Sequence, residues 1–198
     1  MEFVRDLNEF LMRNDVHILG GNDNQEDAFA EYHEDRVDWD LDRYYVDDSP
    51  RSMKSGDWWT LYHPSSGGKV RFSFNDKAEG LVRSAGPELV DMKITDYCDA
   101  GCTFCYQDST REGTHADYER VTRYFDYMKE LGVFEVALGG GEPTLHPRFI
   151  DILKYSREVG IVPNFTTYRS PRVWGNALID VVREYAGAFA ISVSSSRS

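Results

Sequence analysis

Three glycines divide the second half of the chain at nearly equal intervals. Gly132, Gly160 and Gly187 lie 27 or 28 residues apart, and each separates a helical apolar pattern from a short apolar run. A glycine at such a point lets a helix turn back into a strand through a left-handed backbone conformation. Short apolar strands that alternate with helices are typical of a parallel sheet with right-handed crossovers. This half of the chain is therefore predicted to be α/β.

The same alternation places the elements. Strands are predicted over 89–94, 133–138, 161–167 and 189–193, and helices over 116–131, 147–159 and 177–186. Ligands of parallel sheets bind beyond the carboxyl ends of the strands. The loops that follow the four strands are therefore the predicted location of the chemistry.

The first part of the chain has a different pattern, and residues 1–85 are predicted to form a small α+β extension before an α/β region over 86–198. An amphipathic helix is predicted over 1–12 and a solvated acidic segment over 23–48. Residues 58–63 and 70–74 flank a turn-rich segment and predict a β-hairpin. Val70, Phe72 and Phe74 alternate with polar residues, which is typical of a half-buried strand.

Composition excludes several classes of protein. The chain has 198 residues, enough for one domain with an appendage, and a net charge of −12. A nucleic-acid or anionic membrane surface needs a basic face, so both are disfavoured as partners. No apolar stretch is long enough to span a bilayer, and the first residues do not resemble a signal peptide. A cytoplasmic location is expected.

Three cysteines, Cys98, Cys102 and Cys105, are the only ones in the chain and lie within eight residues. An odd, tightly spaced set is a poor disulfide framework and is typical of a metal or cluster site in a reducing compartment. Structural zinc needs four ligands, and the nearest further candidate is His115. Three thiolates would instead leave one iron of an iron-sulfur cube without a protein ligand. The spacing favours a cluster, with zinc as the alternative.

A second motif, GGGEP at residues 139–143, directly follows the second predicted strand. Glycines let a ligand approach the backbone closely, and the carboxylate of Glu142 can accept hydrogen bonds from an ammonium group. The lysine of a phosphate-binding loop is missing. The motif therefore predicts a site for an amine-bearing ligand.

The segment CDAGCTFCY at residues 98–106 resembles the signature loop of the radical S-adenosylmethionine (radical SAM) superfamily, with Phe104 in the aromatic position. The GGEP sequence at 140–143 is similar to a second motif of that family. The resemblance implies that the three cysteines hold a 4Fe-4S cluster and that S-adenosylmethionine binds its open iron. It also implies reductive cleavage to a 5'-deoxyadenosyl radical that abstracts a substrate hydrogen, with a one-electron donor such as flavodoxin or ferredoxin.

The resemblance also implies roles for individual residues. Contacts to S-adenosylmethionine are expected from the glycine motif, from polar strand ends and from the aromatic residues of the cysteine loop: Phe104, Tyr106, Gly140, Gly141, Glu142, Pro143, Thr166 and Ser192. For Tyr106, an aromatic core role is the alternative to a place near the adenine. The expected fold is a partial (β/α) radical SAM-type barrel with about four βα units, where the family usually has six.

The incomplete set of βα units favours a truncated or split chain that a C-terminal polypeptide completes. A compact member completed by a partner and a degraded copy are alternatives. The chain is therefore interpreted as a radical SAM enzyme or its cofactor-binding half. Its substrate is predicted to be a peptide or protein, with a small molecule as the alternative. A non-catalytic zinc- or cluster-binding module is the competing function.

Overall fold

The computed structural model describes residues 49–75, 77–78 and 83–193. The predicted helix over 1–12 and the acidic segment over 23–48 lie outside these residues. The described residues from 49 to 73 and from 77 onwards belong to one compact unit. The domain boundary at residue 85 stays a prediction.

A small antiparallel sheet precedes the α/β region. It contains β1 (Arg51–Ser55), β2 (Trp58–His63) and β3 (Gly68–Ser73), in the order β1-β2-β3. The predicted hairpin is confirmed as β2 and β3, which pair with Leu61 opposite Val70. The predicted half-burial of Val70 is wrong, because β3 is an edge strand and 59% of Val70 is exposed. Strand β1 was not predicted, because Met53 is its one apolar residue.

The second sheet is parallel, as predicted. Its strands β4 (Leu89–Thr95), β5 (Glu135–Gly140), β6 (Val162–Thr167) and β7 (Phe189–Ile191) lie in chain order across the sheet. Three helices connect them: α1 (Tyr118–Glu130), α2 (Phe149–Glu158) and α3 (Asn176–Tyr185). The α/β prediction is confirmed. Two short 3-10 helices, Pro143–Leu145 and Pro171–Val173, were not predicted.

The helices cover one face of the parallel sheet. Successive side chains of a strand point to opposite faces, so each strand gives every second residue to this core. The apolar face of α1 buries Phe125 and Met128. The core side chains of the sheet include Ile94, Val136, Leu138 and Phe165. Asp91, Lys93 and Thr166, which alternate with core residues, are exposed.

The small sheet packs at the amino ends of the parallel strands. Phe134 directly precedes β5, and its ring stacks on Tyr62 of β2 with 5.1 Å between centroids. Met53 and Val162 complete this buried cluster. Beside it, Lys69 Nζ lies 2.7 Å from an oxygen of Glu135. The antiparallel sheet therefore closes the amino end and leaves the carboxyl ends of the strands for a site.

The three repeating glycines serve two different purposes. Gly132 and Gly160 have φ of 73° and 90°, which confirms the predicted left-handed turns. The prediction is wrong for Gly187, which has no positive φ. A β-carbon there would lie 2.2 Å from Cγ1 of Val162 and 2.7 Å from Oδ1 of Asn164. Close approach to β6, and not backbone conformation, excludes a side chain at Gly187.

No helix among the described residues is long and apolar enough to cross a membrane.

Candidate functional site

A cavity of about 620 Å³ lies at the carboxyl ends of the parallel strands. All four loops that follow the strands contribute to it, as the sheet geometry predicts. The residues that line it are Cys98, Ala100, Cys102, Phe104, Cys105, Tyr106, Gly139, Gly140, Gly141, Glu142, Thr166, Thr167, Tyr168, Ser192 and Val193.

The cysteine loop is closed at its base by backbone hydrogen bonds. The Cys98 amide donates to the Thr110 carbonyl at 2.9 Å, and the Asp96 amide donates to the Thr114 carbonyl at 2.8 Å. Cys98 and Cys105 are half-buried and Cys102 is exposed. All three cysteines are free thiols that border one cavity. The loop therefore presents three soft donors to a single space.

The surroundings of two thiols shift their pKa in opposite directions. Backbone hydrogen bonds from Ser109 and Gln107 lower the pKa of Cys105, because they stabilise the thiolate. Burial raises the pKa of Cys98, because it disfavours the charged form. Metal binding requires the thiolate. Cys105 is therefore the more readily deprotonated of these two donors.

The arrangement does not match a site for one metal ion. Within the described ranges, no three His, Cys, Asp or Glu side chains are gathered closely enough to hold one. Zinc bonds of about 2.3 Å require its ligands to lie roughly 4 Å from one another. In an iron-sulfur cube, each thiolate binds a different iron and the donors stand further apart. The cluster that the three thiols are expected to hold stays a prediction.

His115, the candidate fourth ligand for zinc, is engaged elsewhere. Its Nδ1 lies 2.8 Å from Oγ1 of Thr95, and its ring contacts the rings of Tyr97 and His146. It is not among the residues that line the cavity. This placement counts against the zinc alternative.

The glycine motif packs against the start of the cysteine loop. The Gly141 amide donates to the Thr95 carbonyl at 2.7 Å, and the Glu142 amide donates to the Tyr97 carbonyl at 2.8 Å. A β-carbon at Gly140 would lie 2.0 Å from the Thr95 carbonyl oxygen, and one at Gly141 would lie 2.1 Å from that of Tyr97. Both glycines are therefore required by backbone packing, which the sequence did not reveal.

Glu142 is a buried carboxylate, 1% exposed, at the centre of a hydrogen-bond network. Its Oε1 accepts from the Thr144 amide at 3.1 Å, the Thr144 hydroxyl at 2.5 Å and the Thr167 hydroxyl at 2.7 Å. Its Oε2 accepts from the Tyr168 amide at 3.1 Å. Glu142 therefore joins the loop after β5 to the end of β6. Its predicted contact with an ammonium group stays a prediction.

The other predicted residues fall in different places. Thr166 and Ser192 are exposed and line the cavity. Phe104 and Tyr106 also line it and are 69% and 90% exposed, so the alternative core role for Tyr106 is wrong. Pro143 is buried at the start of a 3-10 helix and is not one of the lining residues.

Five of the lining residues were not among the predicted site residues: Ala100, Gly139, Thr167, Tyr168 and Val193. A β-carbon on Gly139 would meet nothing within 4 Å, so this glycine leaves the cavity open. The choice of Thr166 over Thr167 depends on strand register, which a single sequence does not specify. For Gly139, Thr167 and Tyr168, the one available signal was their position at or beside a strand end.

Comparison with known proteins agrees with this geometry. A family model described as the radical SAM superfamily matches residues 92–197, which is more than half of the chain. The chain belongs to the radical SAM superfamily. This result confirms the resemblance of the two loop motifs and the expected fold class.

Individual curated relatives match shorter segments. The chain is 28% identical over 83 residues to the PqqA peptide cyclase of Bradyrhizobium diazoefficiens, covering 41% of this chain and 22% of the relative. It is 39% identical over 75 residues to the GTP 3',8-cyclase of Pectobacterium atrosepticum, covering 34% and 22%. The match therefore spans about a fifth of the length of each of these two curated relatives.

Solved structures of SuiB from Streptococcus suis share the fold. One structure gives a TM-score of 0.54 with 13% identity, covering 76% of this chain and 47% of SuiB. A structure of SuiB bound to its precursor peptide SuiA gives 0.53 with 14% identity, covering 73% and 48%. This similarity supports the mixed α/β architecture.

Proposed function

We propose that this chain is a radical SAM enzyme or the cofactor-binding part of one. The observation that carries the proposal is the convergence of the cysteine loop, the glycine motif and the ends of β6 and β7 on one cavity. Three thiolates from Cys98, Cys102 and Cys105 would hold a 4Fe-4S cluster, leaving one iron for S-adenosylmethionine. When bound and reduced, this pair supplies a 5'-deoxyadenosyl radical for hydrogen abstraction.

The residues of the chain would bind and orient these groups. The lowered pKa of Cys105 favours the thiolate that iron requires. Gly139 leaves room beside the backbone of the glycine motif. Thr166 and Ser192 present exposed hydroxyl groups that can bind the polar parts of S-adenosylmethionine. Phe104 and Tyr106 offer exposed aromatic surface to the cavity.

We propose a peptide or protein as the substrate class. The support is the name of one matched relative, PqqA peptide cyclase, and the peptide-bound SuiB of the same fold. The GTP 3',8-cyclase relative makes a small molecule the alternative substrate. The proposal also includes a one-electron donor such as flavodoxin or ferredoxin and a cytoplasmic location.

The decisive experiment is anaerobic reconstitution of the chain with iron and sulfide. We expect about four irons per chain, broad visible absorbance, and a paramagnetic signal after reduction that changes when S-adenosylmethionine is added. Formation of 5'-deoxyadenosine would then test cleavage of the cofactor.

Two variants serve as controls for the reconstitution. Cys102→Ser is expected to lose iron, whereas His115→Ala is expected to retain it. A wild-type chain that binds one zinc and no iron, and loses that zinc in His115→Ala, would instead establish the non-catalytic metal-binding alternative.

A further inference from the structure

Polar contacts join the cysteine loop to the residues that follow β6. The hydroxyl of Tyr168 donates a hydrogen bond to Oδ1 of Asp99. On the other oxygen of the same carboxylate, Nη1 of Arg169 lies 3.2 Å from Oδ2. The Asp99 and Arg169 side chains are 34% and 25% exposed, so solvent only partly screens the pair. Charge-assisted hydrogen bonds of this kind are stronger than neutral ones.

Tyr168 connects both motif loops. Its hydroxyl binds Asp99, which directly follows Cys98, while its backbone amide donates to Oε2 of Glu142 in the glycine motif. Its side chain also lines the cavity. One residue after β6 therefore relates the cysteine loop to the glycine motif.

The cysteine loop has little buried surface of its own. Residues 101–104 are all exposed, and Gly101 has a φ of 65°. A turn hydrogen bond of 3.3 Å from the Cys105 amide to the Cys102 carbonyl lies within the loop. Segments with few buried contacts open locally at low free-energy cost. The contacts of Asp99 oppose such opening close to the first thiol.

We infer that Asp99, Tyr168 and Arg169 form an interloop latch that holds the Cys98 end of the cysteine loop against the cavity before any cluster binds. The three are positioning residues, because they act through the loop. This inference rests on the proposed function of that loop in binding a cluster. The latch would reduce the ordering that the loop must undergo when iron binds.

The test begins with the metal-free, reduced chain. Hydrogen exchange of the Cys98 amide is compared in wild type, Tyr168→Phe, Asp99→Ala and the double variant. Loss of one charge-assisted hydrogen bond is expected to accelerate local exchange about tenfold. The double variant should be no faster than the faster single variant, because both changes break the same contact. Tyr127→Phe, at an exposed position on α1, is the matched control and should exchange as wild type.

The cluster supplies a second readout. After reconstitution, iron content and the paramagnetic signal should fall in Tyr168→Phe and in Arg169→Gln. Arg169→Lys, which keeps the positive charge, should restore part of both. A purely structural role would not distinguish lysine from glutamine at residue 169 in this way.

Separate outcomes overturn the two proposals. Wild-type exchange rates at Cys98 in both single variants would overturn the latch, as would acceleration that is equally large in α2, because that pattern is global destabilisation. A wild-type chain that takes up no iron would overturn the proposed function, while the exchange measurement would still decide whether the contacts restrain the loop.

Discussion

Oγ1 of Thr167 lies 2.7 Å from Oε1 of Glu142, and both side chains are almost completely buried. The hydroxyl donates to this carboxyl group in a region of low dielectric, where hydrogen bonds are strong and unpaired polar groups are costly. The contact bridges β6 and the loop after β5. It therefore stabilises the lining of the cavity, because it holds the loop after β5 against the end of β6.

Thr167→Val is expected to lower the free energy of unfolding by about 2 kcal/mol, because at nearly constant volume it removes two hydrogen bonds. The Thr167 hydroxyl donates one to the buried carboxylate and accepts the other from the Arg169 amide at 2.9 Å. Urea unfolding of the metal-free protein measures the change. Thr166→Val is the matched control: its exposed side chain should alter stability by less than about 0.5 kcal/mol. An equal loss in both variants would contradict the assigned role of Thr167.

Glu142→Gln is expected to cost about 2–3 kcal/mol, because the amide cannot accept hydrogen bonds at both of its terminal atoms and leaves a buried donor unpaired. Chemical denaturation of the metal-free chain provides the measurement. Glu130→Gln, an exposed change of the same chemistry on α1, should be nearly neutral. A stable Glu142→Gln protein would show that the network tolerates an amide at its centre.

Alanine substitutions at two glycines of the motif should have different effects, one on stability and the other on ligand binding. Gly141→Ala is expected to lose about 1–3 kcal/mol of stability, because its β-carbon would overlap the Tyr97 carbonyl. Gly139→Ala should fold with wild-type stability, since its β-carbon meets open space. Under the proposed function, it should weaken S-adenosylmethionine binding at least about tenfold. Thermal melting and calorimetric titration of the reconstituted protein test the pair, and unweakened binding in Gly139→Ala would place the ligand elsewhere.

His146 should make stability depend on pH. Burial lowers its pKa below the ordinary value of 6.5, outweighing the hydrogen bond to the Ala116 carbonyl at 2.9 Å. Because the unfolded chain binds the proton more readily, this contribution is fully present above pH 6.5 and is lost as the pH falls below it. Comparing unfolding at about pH 7.5 and about pH 5.5, wild type should lose more stability than His146→Gln. Equal losses of stability in wild type and His146→Gln would contradict this role of His146.

The elements of the α/β region were predictable because their apolar periodicity coincides with burial. Helix α1, for example, buries Val121, Phe125 and Met128 on one face. Strand β1 was not predictable, since Met53 alone carries its apolar signal. The location of the site followed from the rule that parallel sheets bind ligands at their carboxyl ends.

Contacts between distant residues account for what sequence reasoning missed. Asp99 and Tyr168 are 69 positions apart, and nothing in either local pattern indicates that they meet. The role of Gly187 likewise depends on Asn164 and Val162, which belong to β6 and are distant from it in the sequence. Adjacent threonines at 166 and 167 have opposite environments because the pleat separates them, and only the pairing register determines which is buried.

The aromatic stack of Phe134 on Tyr62 supports the parallel strands at the end remote from the thiols. The aromatic cluster and the cavity thus lie at opposite ends of the parallel strands. Substitutions in the loops that line the cavity should consequently leave the packing of Tyr62, Phe134 and Val162 unchanged.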